Sequence, residues 1–268
     1  MTKNIITICW SLLCVLGTIY AQTDNRFKRL TSETGLHLQT TLDRRFTANA
    51  VAHLGFQTRT GFEFGSDRRF NRIELAFSVN FSKVKGITKY ANLNPTISYT
   101  HLRKLEQSNF WLGGQLDQGS LLILPASTDF ENNPISYTLW LSVGVAARWQ
   151  RQLQLKQQRV NVAINASLPF LGYVVRPAHA HPYPENYLVD GIFDFERTNL
   201  GRYLITSGRI RPLNQFTQTK IKTIAGVPFG KKGHEIGASY QWELLWGGGR
   251  KKVWHAQQQL SVFLQINF

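Results

Sequence analysis

The last fourteen residues, HAQQQLSVFLQINF, alternate between two kinds of side chain. Leu260, Val262, Leu264, Ile266 and Phe268 fall on one parity. Gln257, Gln259, Ser261, Gln265 and Asn267 fall on the other, where Phe263 is the exception. Side chains of an extended strand point alternately to its two faces, so this pattern predicts a strand with one apolar and one polar face. The same period recurs along the chain. Leu54, Phe56, Phe62 and Phe64 oppose His53, Gln57, Arg59 and Glu63. Ile73, Leu75, Phe77, Val79 and Phe81 oppose Arg72, Glu74, Ser78 and Asn80. In ISYTLWLSVGVAARW an apolar row from Ile135 to Trp149 opposes Ser136, Thr138, Ser142, Gly144 and Arg148, with Trp140 the exception. Ile236, Ala238, Tyr240, Trp242, Leu244 and Trp246 oppose Glu235, Ser239, Gln241 and Glu243.

The pattern predicts ten strands, at 30–43, 47–64, 70–83, 93–104, 108–117, 134–151, 157–170, 201–225, 233–247 and 252–268. Two places are irregular. The 201–225 stretch is too long for one crossing and holds Pro212, so it is either a bulged strand or a hidden turn. The segment SLLILPASTDF (120–130) has room for a further hairpin, which would make twelve strands. Several strands exceed the usual five or six residues, and a tilted strand crosses a bilayer in roughly 9 to 11. In lipid, sheet must close on itself, because an open edge leaves backbone groups unpaired. The fold class predicted is all-β: a transmembrane antiparallel up-and-down barrel of about ten strands, apolar face outward and polar face toward the lumen. A soluble sandwich or lipocalin-like barrel would alternate too, but with its apolar face inward.

On the barrel reading the lumen is lined by His53, Gln57, Arg59, Glu63, Arg72, Glu74, Arg148, Glu235, Gln241, Glu243, Gln257 and Gln259. Arg59 with Glu74, and Arg148 with Glu243, are the interior ion pairs this lining suggests. Ten strands enclose a lumen only somewhat wider than eight, which side chains can fill. The lining therefore permits two readings, a hydrogen-bonded plug or a narrow channel. Trp111, Tyr137, Trp149, Tyr240, Trp246, Trp254 and Phe268 lie near strand ends, as aromatic girdles would.

Charge and composition add an address. Lys3 followed by IITICWSLLCVLGTI, then Ala21 and Gln22, reads as an export signal over residues 1–21, leaving 22–268 as one barrel domain. Both cysteines, Cys9 and Cys14, lie in the leader, which excludes disulfides, thiolate metal sites and cysteine nucleophiles from the remainder. Without Lys3 the chain carries 30 bases against 16 acids, a net charge of +14. These bases are scattered through short connections rather than along one helix or arm, which argues for anionic lipid head groups or an anion-attracting pore and against nucleic acid.

The export signal, the cysteine-free alternating strands and the closing LSVFLQINF together resemble bacterial outer-membrane β-barrel proteins. That resemblance implies residence in the outer membrane, with both termini on the periplasmic side. The short connections near 65–69, 105–107, 152–156 and 226–232 are then periplasmic, and the long ones near 118–133 and 171–200 external. It also implies that Leu260, Val262, Leu264, Ile266 and Phe268 form the signal read by the barrel-assembly machinery. The partners expected are outer-membrane lipid, anionic head groups and that machinery, with an envelope protein partner left open.

Candidate chemistry is sparse. The 176–199 segment holds His179 and His181, an HxH pair that with Glu185, Asp190 or Asp194 would be a weak metal site; a stiff external lid is the simpler reading. No GxSxG occurs, so Ser207, Ser239 and Ser261 are nucleophile candidates by composition alone. GKKGHE (230–235) and GGGRKK (247–252) lack the phosphate-loop spacing and read as hairpin turns. No cofactor is expected. Three functional readings stay open: a structural or partner-binding barrel, a narrow anion-preferring pore, and a barrel hydrolase or acyltransferase.

Overall fold

The computed structural model describes residues 27–43, 50–83, 89–125, 136–175, 208–247 and 253–268. These form β1 (Phe27–Asp43), β2 (Val51–Ser66), β3 (Arg69–Lys83), β4 (Lys89–Lys104), β5 (Phe110–Pro125), β6 (Ser136–Leu155), β7 (Gln158–Val175), β8 (Arg209–Pro212), β9 (Phe216–Phe229), β10 (His234–Gly247) and β11 (Val253–Asn267). Each strand pairs antiparallel with its sequence neighbour, β7 continues to β9, and β11 returns to β1. The sheet is therefore a closed ten-stranded up-and-down barrel, with β8 as one extra short strand beside the end of β7. Closure is extensive: β1 and β11 pair from Arg29↔Asn267 to Asp43↔Val253, and the Phe268 amide donates to the Lys28 carbonyl at 3.1 Å.

In its described part, residues 208–225, the irregular 201–225 stretch is one broken strand. Between Leu171↔Pro212 and Ser167↔Lys220, three residues of β7 face seven residues, 213–219. A turn at 213–215 absorbs the excess, directly after the proline that cannot donate to the ladder. The additional hairpin at 120–130 does not form in its described part. Residues 120–125 continue β5, and 171–175 continue β7, so the connections there are shorter than the sequence suggests. The leader and the HxH segment lie outside the described residues.

Four connections are tight: 67–68, 105–109, 156–157 and 230–233. The last turns on Gly230 and Gly233, at φ of 67° and 65°, where a side chain would be strained. These turns gather at one end of the barrel together with the start of β1. Lys28, Arg68, Arg69, Arg103, Lys104, Arg151, Lys156, Arg159, Lys231 and Lys232 are all exposed there. The exposed acids among the described residues of this end are Asp67 and Glu106.

The outer wall is apolar. Leu36, Leu54, Phe56, Phe81, Leu260 and Val262 are 56–68% exposed. Each of the ten barrel strands contributes at least one large exposed hydrophobic side chain. Soluble monomers rarely leave a contiguous apolar band of this extent in water. The acids and bases of the described strands are confined to the lumen and the two rims.

Two aromatic exceptions to the alternation point inward. Trp140 and Phe263 are 5% and 4% exposed. Trp111 also differs from expectation: it packs against the buried cluster of Phe70, Leu102 and Ala146 inside the tight-turn mouth, rather than joining an external girdle.

Candidate functional site: the lumen

The lumen is organised in layers. A charged belt occupies its middle. Glu33 on β1 accepts from Ser239 on β10 at 2.7 Å and from Lys222 on β9, and Arg59 Nη1 on β2 lies 3.5 Å away. Arg59 Nε then meets Glu74 Oε1 at 3.1 Å, and its Nη2 donates to Gln259 at 3.2 Å. Arg72 pairs with Glu74 and, at 3.5 Å, with Glu63. From β9, Lys220 reaches Asp117 on β5 at 2.9 Å. Charge is balanced in this belt: four acids face four bases. Over the whole described lumen, Glu235 and Glu243 join the acids, and Arg29 and Arg148 the bases, so the sides remain equal.

Toward the long-connection end lies a layer of amides and imidazoles. Gln257 Oε1 accepts from His37 Nε2 at 2.9 Å and from His255 Nε2 at 3.1 Å. An amide oxygen only accepts, so both imidazoles carry their proton on Nε2 toward it. His255 Nδ1 is then free to accept from Thr41, 3.3 Å away. Glu243 collects Gln218 at 2.7 Å, Gln241 at 3.1 Å and Gln257. Gln39 accepts from Asn80 and Asn94 at 2.8 and 3.2 Å. His53 and Gln57 are buried in the same wall.

Apolar side chains gather near each mouth. At the long-connection end Leu121, Ile123, Trp140, Phe216, Leu245 and Val253 form one buried cluster, with Val174 against it. Glycine makes room for the two rings. A Cβ on Gly119 would lie 2.4 Å from Trp140 Cζ2, and one on Gly172 would lie 2.6 Å from Phe216 Cδ1. At the tight-turn end the Phe70 cluster is clamped by cations: the Arg148 guanidinium sits 4.6 Å from the Phe70 centroid, and the Lys104 ammonium 5.3 Å from that of Trp111. Among the described lumen side chains, cavities of about 30, 30 and 70 Å³ remain. Cavities of this size admit water-sized guests.

Of the two ion pairs the sequence suggests, Arg59–Glu74 forms and Arg148–Glu243 does not. Arg148 sits near the tight-turn mouth, bonded to Asn165 and Gln150, whereas Glu243 belongs to the amide layer at the other end. Glu235 accepts from Asn161 at 2.8 Å. Sequence reasoning missed Glu33, His37, Asp117, Lys220, Lys222 and His255 as lumen residues. All share the inward parity of their strands, and Lys220 and Lys222 were hidden by the irregular stretch around Pro212. The two described serine candidates bond within the lumen: Ser239 donates to Glu33, and Ser261 accepts from Gln259. No group of three or more His, Cys, Asp or Glu side chains among the described residues is arranged to hold a metal ion.

No known family matches the chain, and no curated protein matches its sequence. Solved structures are similar in strand arrangement. One is the translocator domain of the autotransporter NalP from Neisseria meningitidis, at 8% identity over 98% of this chain and 96% of that one, TM-score 0.38. Another is the outer membrane protease OmpT from Escherichia coli, at 6% identity over 92% and 98%, TM-score 0.41. A third is the Pseudomonas putida toluene transporter TodX, at 10% identity over 93% and 91%, TM-score 0.22. The barrel architecture itself stands on the chain's own strand pairing, which closes β11 onto β1.

Proposed function

We propose that this chain is an integral outer-membrane β-barrel protein with an occluded lumen, serving a structural or partner-binding role rather than the passage of solutes. The observation that carries the reading is the inverted distribution of polarity. Charged and amide side chains are buried inside, and aliphatic and aromatic side chains stand exposed around the outside. Water would favour the opposite arrangement, whereas a bilayer favours this one. Outer-membrane residence is supported by the reading of residues 1–21 as an export signal and by the closing strand, both features of the bacterial barrel class.

The anion-preferring pore is the weaker reading. The net positive charge of the chain is absent from the described lumen, where acids and bases balance. Apolar clusters also narrow the lumen near both mouths, which favours occlusion. Refolded full-length protein in planar bilayers is expected to give no stepwise conductance at either polarity. Reproducible openings of uniform size would overturn the occluded lumen, and failure to enter any bilayer would overturn the membrane assignment.

A further inference from the structure

We propose that the tight-turn end of β3 and β4 is a binding site for the phosphate of an anionic phospholipid, held by Arg68, Arg69 and Arg103. The inference rests on the membrane reading above. Arg69 and Arg103 are direct cross-strand partners, so two like charges stand opposite each other on one face of the sheet. Such a pair repels unless an anion lies between its members. The Lys104 amide donates to the Arg68 carbonyl at 2.9 Å, which fixes the backbone of a third arginine at the same corner. All three arginines are exposed. Among the described residues none of the three has a carboxylate within ion-pair distance. Lys104, the fourth base of the corner, is engaged over Trp111 instead.

The surroundings select lipid over a soluble anion. Immediately up the same outward face, Tyr99 and His101 donate to Asn71 Oδ1 at 3.0 and 2.8 Å, and the Asn71 amide is oriented by the Phe64 carbonyl at 3.2 Å. Beyond this polar row the face becomes Ile97, Leu75 and Phe77, all well exposed. A basic corner, a polar row and an apolar wall in that order match a head group, its glycerol level and its acyl chains. Guanidinium forks suit phosphate oxygens in two-point contacts, which a lysine does not reproduce.

The test uses full-length protein reconstituted in vesicles of equimolar phosphatidylglycerol and phosphatidylcholine, extracted gently and weighed by native mass spectrometry. Wild type is expected to retain phosphatidylglycerol over phosphatidylcholine, and R69Q/R103Q to lose that preference by roughly tenfold. The control pair R209Q/R211Q, at the opposite rim, is expected to keep it. Should the R69Q/R103Q variant fail to fold, wild type alone decides: retention must fall as salt is raised toward molar concentration. Inorganic phosphate in excess must not displace the lipid; displacement would reveal a free-anion site and overturn the proposal. Equal retention of the two lipids, or an acidic peptide that competes the lipid off, would overturn it too while leaving the barrel in its membrane. Failure of wild type to insert into any vesicle would sink both.

Discussion

Glu33 is the residue on which the charged belt turns. Its carboxylate is 2% exposed and receives Lys222, Ser239 and Arg59 from three different strands. A buried ion network is weak evidence for net stability, but removing one member strands the others without counter-charge. Glu33→Ala is expected to cost about 3–5 kcal/mol in urea unfolding of the vesicle-inserted protein. A cost under ~1 kcal/mol would mean that the lumen is wet enough to screen the two cations. Residue-scale exceptions to the alternation were also the places where sequence said most about the interior. Trp140 breaks the polar parity because the lumen there is apolar, and Leu121 and Ile123 blur it for the same reason. Read as a strand signal, such residues look like noise. Their meaning appears only when neighbouring strands bring Phe216, Leu245 and Val253 against them.

At the scale of the strand, the strongest statement concerns β11. Leu260 and Val262 are 64% and 68% exposed, on an element whose opposite row is buried. In a soluble protein, replacing such an exposed residue by arginine changes stability by about 0.5 kcal/mol or less. Facing lipid near the bilayer midplane, the same change costs about 2–4 kcal/mol. Leu260→Arg is therefore expected to fall in the higher range when unfolding is measured in vesicles, and a near-neutral result would count against a lipid-facing row. Strands of this kind were legible because a period of two is written into the side chains and one slip inverts it. The eighth predicted strand was not legible, because its register moves by four residues at Pro212 and the turn after it. No local pattern records a register shift that falls just before Lys220 and Lys222, whose partners Asp117 and Glu33 lie on β5 and β1.

Across the whole molecule, the fold sorts charge that the sequence merely counts. The excess of bases suggests an anion-attracting interior when read along the chain. Once the barrel is closed, the described lumen is balanced, and ten exposed bases of the described residues lie at the tight-turn rim. Separating these populations needs the register of every strand, since Arg72 and Arg69 lie only three residues apart and end up inside and outside. The central claim, a lipid-facing apolar wall around a filled polar lumen, can be tested residue by residue on β11. With Cys9 and Cys14, the two cysteines of the chain, replaced by serine, single cysteines at positions 258–266 can carry a nitroxide in a protein otherwise free of thiols. In vesicles, labels at Leu260, Val262 and Leu264 are expected to relax strongly with oxygen, which concentrates in lipid. Labels at Gln259, Ser261 and Gln265 are expected to respond weakly to oxygen and to a water-soluble nickel reagent alike. Strong nickel accessibility at Leu260, Val262 and Leu264, or oxygen accessibility without alternation along the strand, would contradict the account.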